Sequence, residues 1–389
     1  MTLIFPINQS FSATQWCFFM ILSYAVFAGS HALPTHNLLP RARPSSTIPP
    51  RGALIVRQKN RLPGEHPTIP DAIRFLRGTK GPQTIFIYPG NYNLGVYIRY
   101  GYPLTIQGYT PSPGTYAQNL VTVSVATGRA ETGGDPESSA IWVQQNDFKM
   151  FNINVVNSYG TGTNTQAVAV TAQVYSMCSF SSYQDTLYVK ATSAYFLGCN
   201  IEGAVDFIFG SGTAWFERAN IVVKPPRSFA TITAHKRVGA GSPAKFVFNL
   251  SNIVGAPGAR PGSAYLGRPW SAFAAVTFQF CTLSNVINPA GWAAWNPPQD
   301  SRTQSVQFYE FQNKGPGSQG RRLFGKLSAQ PAKIEQVLGA VCYVIFLSPD
   351  IIPKETKNLN FIALCYRTML PGLLDSCFDL PHRNIIELN

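Results

Sequence analysis

Six short segments in the middle of the chain stack on a column of apolar residues: Ile153, Phe180, Ile201, Ile221, Ile253 and Leu283. Each is preceded by a small polar residue, in order Asn152, Ser179, Asn200, Asn220, Asn252 and Thr282. One position earlier stand Phe151, Cys178, Cys199, Ala219, Ser251 and Cys281. The intervals run 27, 21, 20, 32 and 30 residues. A unit of this length buries its apolar face only by stacking on its neighbours, and variable spacing fits loops that grow outward between coils. No helical period reproduces the column. With 32 Gly, 30 Pro and only 13% charged residues, the chain reads as all-β, many short strands joined by turns.

The same stacking gives two acids a common phase. Asp185 in YQDTLY lies five residues after Phe180, and Asp206 in GAVDFIFG lies five after Ile201. Adjacent strands are about 4.8 Å apart, so consecutive coils set the two carboxylates side by side. Carboxylates that close and partly desolvated do not ionise independently; one tends to keep a proton while the other stays charged. The pair therefore supplies an acid and a nucleophile. The competing reading makes one or both of them turn residues, because aspartate side chains bond nearby backbone where strands end.

A net charge of +13 favours an anionic partner. No basic helix or aromatic RNA-reading strand accompanies it, so an anionic polysaccharide is expected rather than nucleic acid. Alternatively, Arg41, Arg43, Arg51, Arg57, Lys59 and Arg61 simply solvate the N-terminal lead. Residues 1–32 read as a secretory signal, with an apolar run from Trp16 to Ala28 and small residues at Ser30 and Ala32 around His31. The run is shorter than the roughly 20 residues a membrane span needs, and no membrane association is expected. Residues 33–50 form a Pro, Ser and Arg-rich linker, 51–339 the folded domain and 340–389 an atypical tail with an apolar run from Val341 to Leu347.

Cys17 falls in the signal segment and six cysteines remain. Cys178 and Cys199 share one column, so they either bridge or pack as small free thiols. Cys342, Cys365 and Cys377 fall in the tail. His31, His36, His66, His235 and His382 are scattered, without ligand spacing, so no metal and no cofactor is expected. No GxSxG elbow is present. Carboxylates are left to do the nucleophilic and acid–base work.

The set IFIYPGNY at 85–92, QAVAV at 166–170, YQDTLY at 183–188, GAVDFIFG at 203–210 and LGRPW at 266–270 resembles the pectinesterases in order and spacing, from about Gly52 to Gly339. The resemblance implies a right-handed, single-stranded parallel β-helix, independently of the repeat. It also implies roles for matching positions. Asp206 would be the nucleophile that attacks the C6 methyl ester of a galacturonate, and Asp185 the general acid and then base. Gln184 and Gln166 would stabilise the oxyanion. Arg268 would hold Asp206, Trp270 would pack on sugar, and Trp292 and Trp295 in GWAAW resemble a family pattern lining the cleft, with Trp292 taken as a sugar contact. Each role has a plainer alternative: amide ladders for the glutamines, a surface ion pair for Arg268, and packing for Trp270, Trp292 and Trp295. The expected partner is pectin, acted on by a secreted monomer. A glycosidase or lyase on the same solenoid and a non-catalytic wall-binding β-helix are the rival functions, and methanol release separates them. The pattern departs from the family at Leu94 and Gly95, where a glutamate is usual, and beyond Val337.

Overall fold

The computed structural model describes residues 46–339, apart from 163, 172–173 and 191–192. The expected signal segment, most of the expected linker, the 340–389 tail and the four cysteines within them lie outside the described residues.

The strands form three sheets, of eleven, eight and seven strands. The chain visits them in rotation. Val174–Ser176 joins the eleven-stranded sheet, Ser179–Ser181 the eight-stranded, Leu187–Val189 the seven-stranded, and Ser193–Leu197 returns to the first. Successive coils pair in parallel, Phe180 beside Ile201 and Leu187 beside Ile208. The architecture is a parallel β-helix, the fold the motifs implied.

Local chemistry explains the corners. The last residue before the eight-stranded sheet's turn is left-handed in coil after coil: Asn152, Met177, Gly198, Arg218, Leu250, Phe280 and Gln312, with φ between 46° and 57°. One of the seven is glycine, so most coils accept a strained single residue that the stack on either side holds in place. Three positions later the chain points inward, at Val155, Phe180, Ile201, Ile221, Ile253 and Leu283, all 0% exposed.

This register corrects the repeat at its first member. Phe180 pairs with Val155, not Ile153. Phe151-Asn152-Ile153 mimics the later segments in composition, but Asn152 is itself the left-handed corner residue, which pushes the inward column two positions on. Ile153 is still fully buried.

The interior is built of columns. Phe196, Phe216, Phe248 and Phe278 stack face to face, with centroids 4.7, 4.3 and 4.3 Å apart and planes within 10°. Cys178, Cys199 and Cys281 are free and buried, so Cys178 and Cys199 pack as thiols rather than bridging. The helix Ile69–Phe75, capped by Thr68, sends Ile69 and Ala72 into the same core. At the other end the helix Ile334–Leu338 lays Leu338 on Val174, Tyr195, Trp215 and Val247, outside the eleven-stranded sheet. Asn249, which opens a glycosylation sequon, donates its amide to Glu217 at 2.8 Å and accepts from Gln279 at 2.9 Å, so its side chain is already engaged.

Candidate active site

The turns leading from the eight-stranded into the seven-stranded sheet stack as closely as the strands do. Ala204 N–H donates to Tyr183 O at 2.7 Å, Asp185 N–H to Val205 O at 3.1 Å, and Ala167 N–H to Gln184 O at 3.2 Å. Gln166, Gln184 and Val205 bridge one another in parallel. The next position in each coil is therefore Ala167, Asp185 and Asp206, and the acid pair is adjacent.

Both aspartates are left-handed, with φ 63° and 50°. The turn reading describes both positions, since aspartate is one of the few residues that tolerates this conformation, and the same turns set the two carboxyl-bearing residues on one patch of backbone. Gly210, which ends the DFIFG motif, has φ +130°, and a Cβ there would come within 2.0 Å of Val189 O. Only glycine lets these coils approach.

The two acids have different surroundings. Asp206, 5% exposed, receives both arms of Arg268, Nε to Oδ1 at 2.8 Å and Nη2 to Oδ2 at 2.6 Å. Thr231 adds a reciprocal pair: its hydroxyl accepts from Asp206 N–H at 2.9 Å and donates to Oδ1 at 2.6 Å. A carboxylate held by a guanidinium fork is the strong, charge-assisted case. Burial weighs against the Arg268 charge, yet the hydrogen bonds to Asp206 raise its pKa above the usual arginine value. Arg268 is further held by Nη1 donating to Trp295 O at 3.2 Å and by the Trp295 ring 4.4 Å from its guanidinium carbon.

Asp185, 8% exposed, has no such clamp. Burial first, then the charges of Asp206 and Asp135, push its pKa well above the ordinary carboxyl range. The two acids therefore differ: Asp206 is ion-paired with Arg268, while burial and neighbouring acids shift Asp185 toward its protonated form.

Gln166 and Gln184 stand in register beside the acids, half-buried. Trp270 joins Val168, Tyr188, Phe209, Ala234 and Trp295 in a small apolar cluster on the same face, with Lys236 Nζ 4.5 Å from its ring centroid. Tyr183 and Phe207 are buried wall residues.

Trp292 does not face this cleft, contrary to the expectation from its motif. It is 0% exposed and stacks on Phe308 at 4.1 Å. Of the two GWAAW tryptophans, Trp295 is the one at the site, beside Trp270. Thr231 and Asp135 escaped the sequence reading. Thr231 lies ten residues after Ile221, not five, because a longer loop enters that coil and breaks the phase. Asp135 comes from the segment before the strand Ile141–Val143 and pairs with Arg129 at 3.4 Å.

Comparison with known proteins follows the same lines. The family model described as Pectinesterase matches residues 57–326. A probable pectinesterase A of Aspergillus fumigatus is 39% identical over 282 residues, covering 71% of this chain and 84% of its own. Pectinesterase A of Emericella nidulans is 36% identical over 303 residues, 77% and 89% of the two chains. The crystal structure of the pectin methylesterase from Aspergillus niger superposes with TM-score 0.71 at 33% identity, covering 79% of this chain and 99% of that one. A pectin methylesterase solved in complex with a hexasaccharide gives TM-score 0.63 at 25% identity, covering 74% and 97%. The chain belongs to the pectinesterase family and is a carboxylic ester hydrolase.

Proposed function

We propose that this protein is a secreted aspartyl esterase that removes the C6 methyl esters of homogalacturonan, leaving pectate and methanol. The observation that carries this reading is the asymmetry of the pair: Asp206 gripped by Arg268 and Thr231, with Asp185 unclamped and its pKa raised in the next coil.

An oxygen of the Asp206 carboxylate attacks the ester carbonyl carbon, and the carbonyl electrons move onto its oxygen. The amides of Gln166 and Gln184 are in register to donate to that oxyanion, a contribution of about 3 kcal/mol for a well-placed donor. Collapse breaks the bond to the methoxy oxygen, which takes the proton of Asp185 and leaves as methanol. An acyl anhydride now joins substrate to Asp206. Asp185, ionised, removes a proton from water; the hydroxide adds to the substrate carbonyl carbon, and the bond to Asp206 breaks. Asp206 is again a carboxylate and Asp185 again carries a proton.

The relative crystallised with a hexasaccharide supports a sugar chain as ligand, and the Trp270 cluster offers an apolar face for it. Secretion rests on the signal pattern of residues 1–32. A monomeric enzyme acting in cell wall modification and pectin breakdown completes the reading.

The test is methanol release from methyl-esterified pectin. Asp206→Ala loses about four orders of magnitude in kcat while its thermal unfolding remains close to wild type. Asp185→Asn loses turnover but still binds the polymer. Wild-type-like methanol release from Asp206→Ala overturns the assignment, and shortened or unsaturated sugars as products would point to chain cleavage instead.

A further inference from the structure

The seven-stranded sheet that carries the site extends well beyond it toward the first coils. Its backbone register runs unbroken between them: Tyr97 pairs with Trp142, the strand of Trp142 pairs through Ile141 with Val170, and the next two strands pair Val170 with Leu187 and Tyr188 with Phe209. Flanking residues point inward, Val96 and Ile98 on one strand and Ile141 and Val143 on the next, all at most 9% exposed. At the site end, Tyr188 and Phe209 stack at 4.5 Å with planes 6° apart, and Phe209 leads on to Trp270 at 5.9 Å.

At the far end lies a second aromatic pair. Tyr97 is 47% exposed, its ring lies 5.0 Å from that of Trp142 at 58°, and its hydroxyl donates to Gln144 Oε1 at 2.7 Å. Neither ring belongs to the core or to the apolar cluster around Trp270. An exposed aromatic pair with one ring pinned by a side-chain hydrogen bond is rigid, and its electron-rich face matches the positively polarised C–H face of a pyranose. Trp142 lies two strands and Tyr97 three strands from Tyr188, the latter about 14 Å away. That is within reach of one polymer chain running across the strands.

We propose that Tyr97 and Trp142 form a distal sugar-binding platform for the same esterified galacturonan chain whose ester meets Asp206. This rests on the esterase reading above, and the continuity of the backbone register from platform to site is what commits the platform to that occupant. The pair contacts no reacting atom; it binds chain several sugars away and makes the enzyme prefer long substrates.

Methanol release from methyl-esterified oligogalacturonides of increasing length tests this. Wild-type kcat/KM climbs with length. In Tyr97→Ala and Trp142→Ala it falls by about tenfold on the longest oligomers, the loss of one stacking contact, and stays at the wild-type value on the shortest; Trp142→Phe recovers most of the loss. Tyr97 is half-exposed, so Tyr97→Ala carries the test if Trp142→Ala does not fold. A length gradient retained in Tyr97→Ala, or an equal loss on short and long oligomers, overturns the platform and leaves the esterase standing. A wild-type protein that releases no methanol from any oligomer overturns both.

Discussion

Asp185 and Asp206 differ by what touches them, and one pH profile and one substitution read that difference. In the proposed mechanism Asp185 gives its proton to the departing methanol, so the alkaline limb of kcat/KM reports its loss. Asp135 is one of the charges that keep this pKa up. Asp135→Asn therefore moves the alkaline limb to lower pH; a limb that stays put removes Asp135 from the account. Arg268→Lys replaces a two-armed fork with a single point charge, and kcat falls by about two orders of magnitude with KM little changed. Equal effects on KM and kcat would argue against an orienting role. His235 provides a stability titration away from the chemistry. Burial lowers its pKa from 6.5 to about 4, while its ring bonds Gly212 O and Ala275 N–H. Between those values the unfolded chain binds the proton and the folded chain refuses it, so stability falls as pH drops from 6.5 toward 4. The full loss is of order 3 kcal/mol. His235→Gln flattens that slope in thermal unfolding; an unchanged slope assigns it to other groups.

At the scale of one coil, stability comes from like residues stacked on like. Phe248 lies between Phe216 and Phe278 at 4.3 Å on either side, with no exposed face to collapse into. Phe248→Ala opens a cavity worth about 3–5 kcal/mol in chemical denaturation; a cost below 1 kcal/mol would mean that the coils slide together. The corners are less demanding than the core. They take asparagine, methionine, glycine, arginine, leucine, phenylalanine and glutamine in the same left-handed conformation, because the stack above and below over-determines each one. For that reason the corner carries almost no signature in residue type, and the match of Phe151-Asn152-Ile153 to the later segments misplaces the first strand by two residues.

Taken whole, the chain's positive balance bears on how it meets its substrate. A surplus of 13 positive charges raises the local concentration of a polyanion and speeds its encounter. Activity on partly de-esterified pectin should therefore fall as salt rises from about 0.01 to 0.15 M, where the screening length drops from roughly 30 to 8 Å. On fully esterified pectin, which carries little charge, the same change has little effect. Indifference to salt on both substrates would place the charge outside the binding face, as a solvated N-terminal lead would.

The solenoid and its acid pair were legible in residue order because both rest on short-range rules. Inward and outward positions alternate along each strand, and two coils of nearly equal length, 21 residues from Phe180 to Ile201, carry an aspartate at the same phase. Such regularities survive in one dimension. Where a loop lengthens a coil they do not, and there stacking alone decides what meets: Thr231 comes to Asp206, Trp295 rather than Trp292 comes under Arg268, and Asp135 reaches Asp185 from a segment 50 residues earlier. Hydrogen bonding between coils sets register in space, and no count along the chain can replace it.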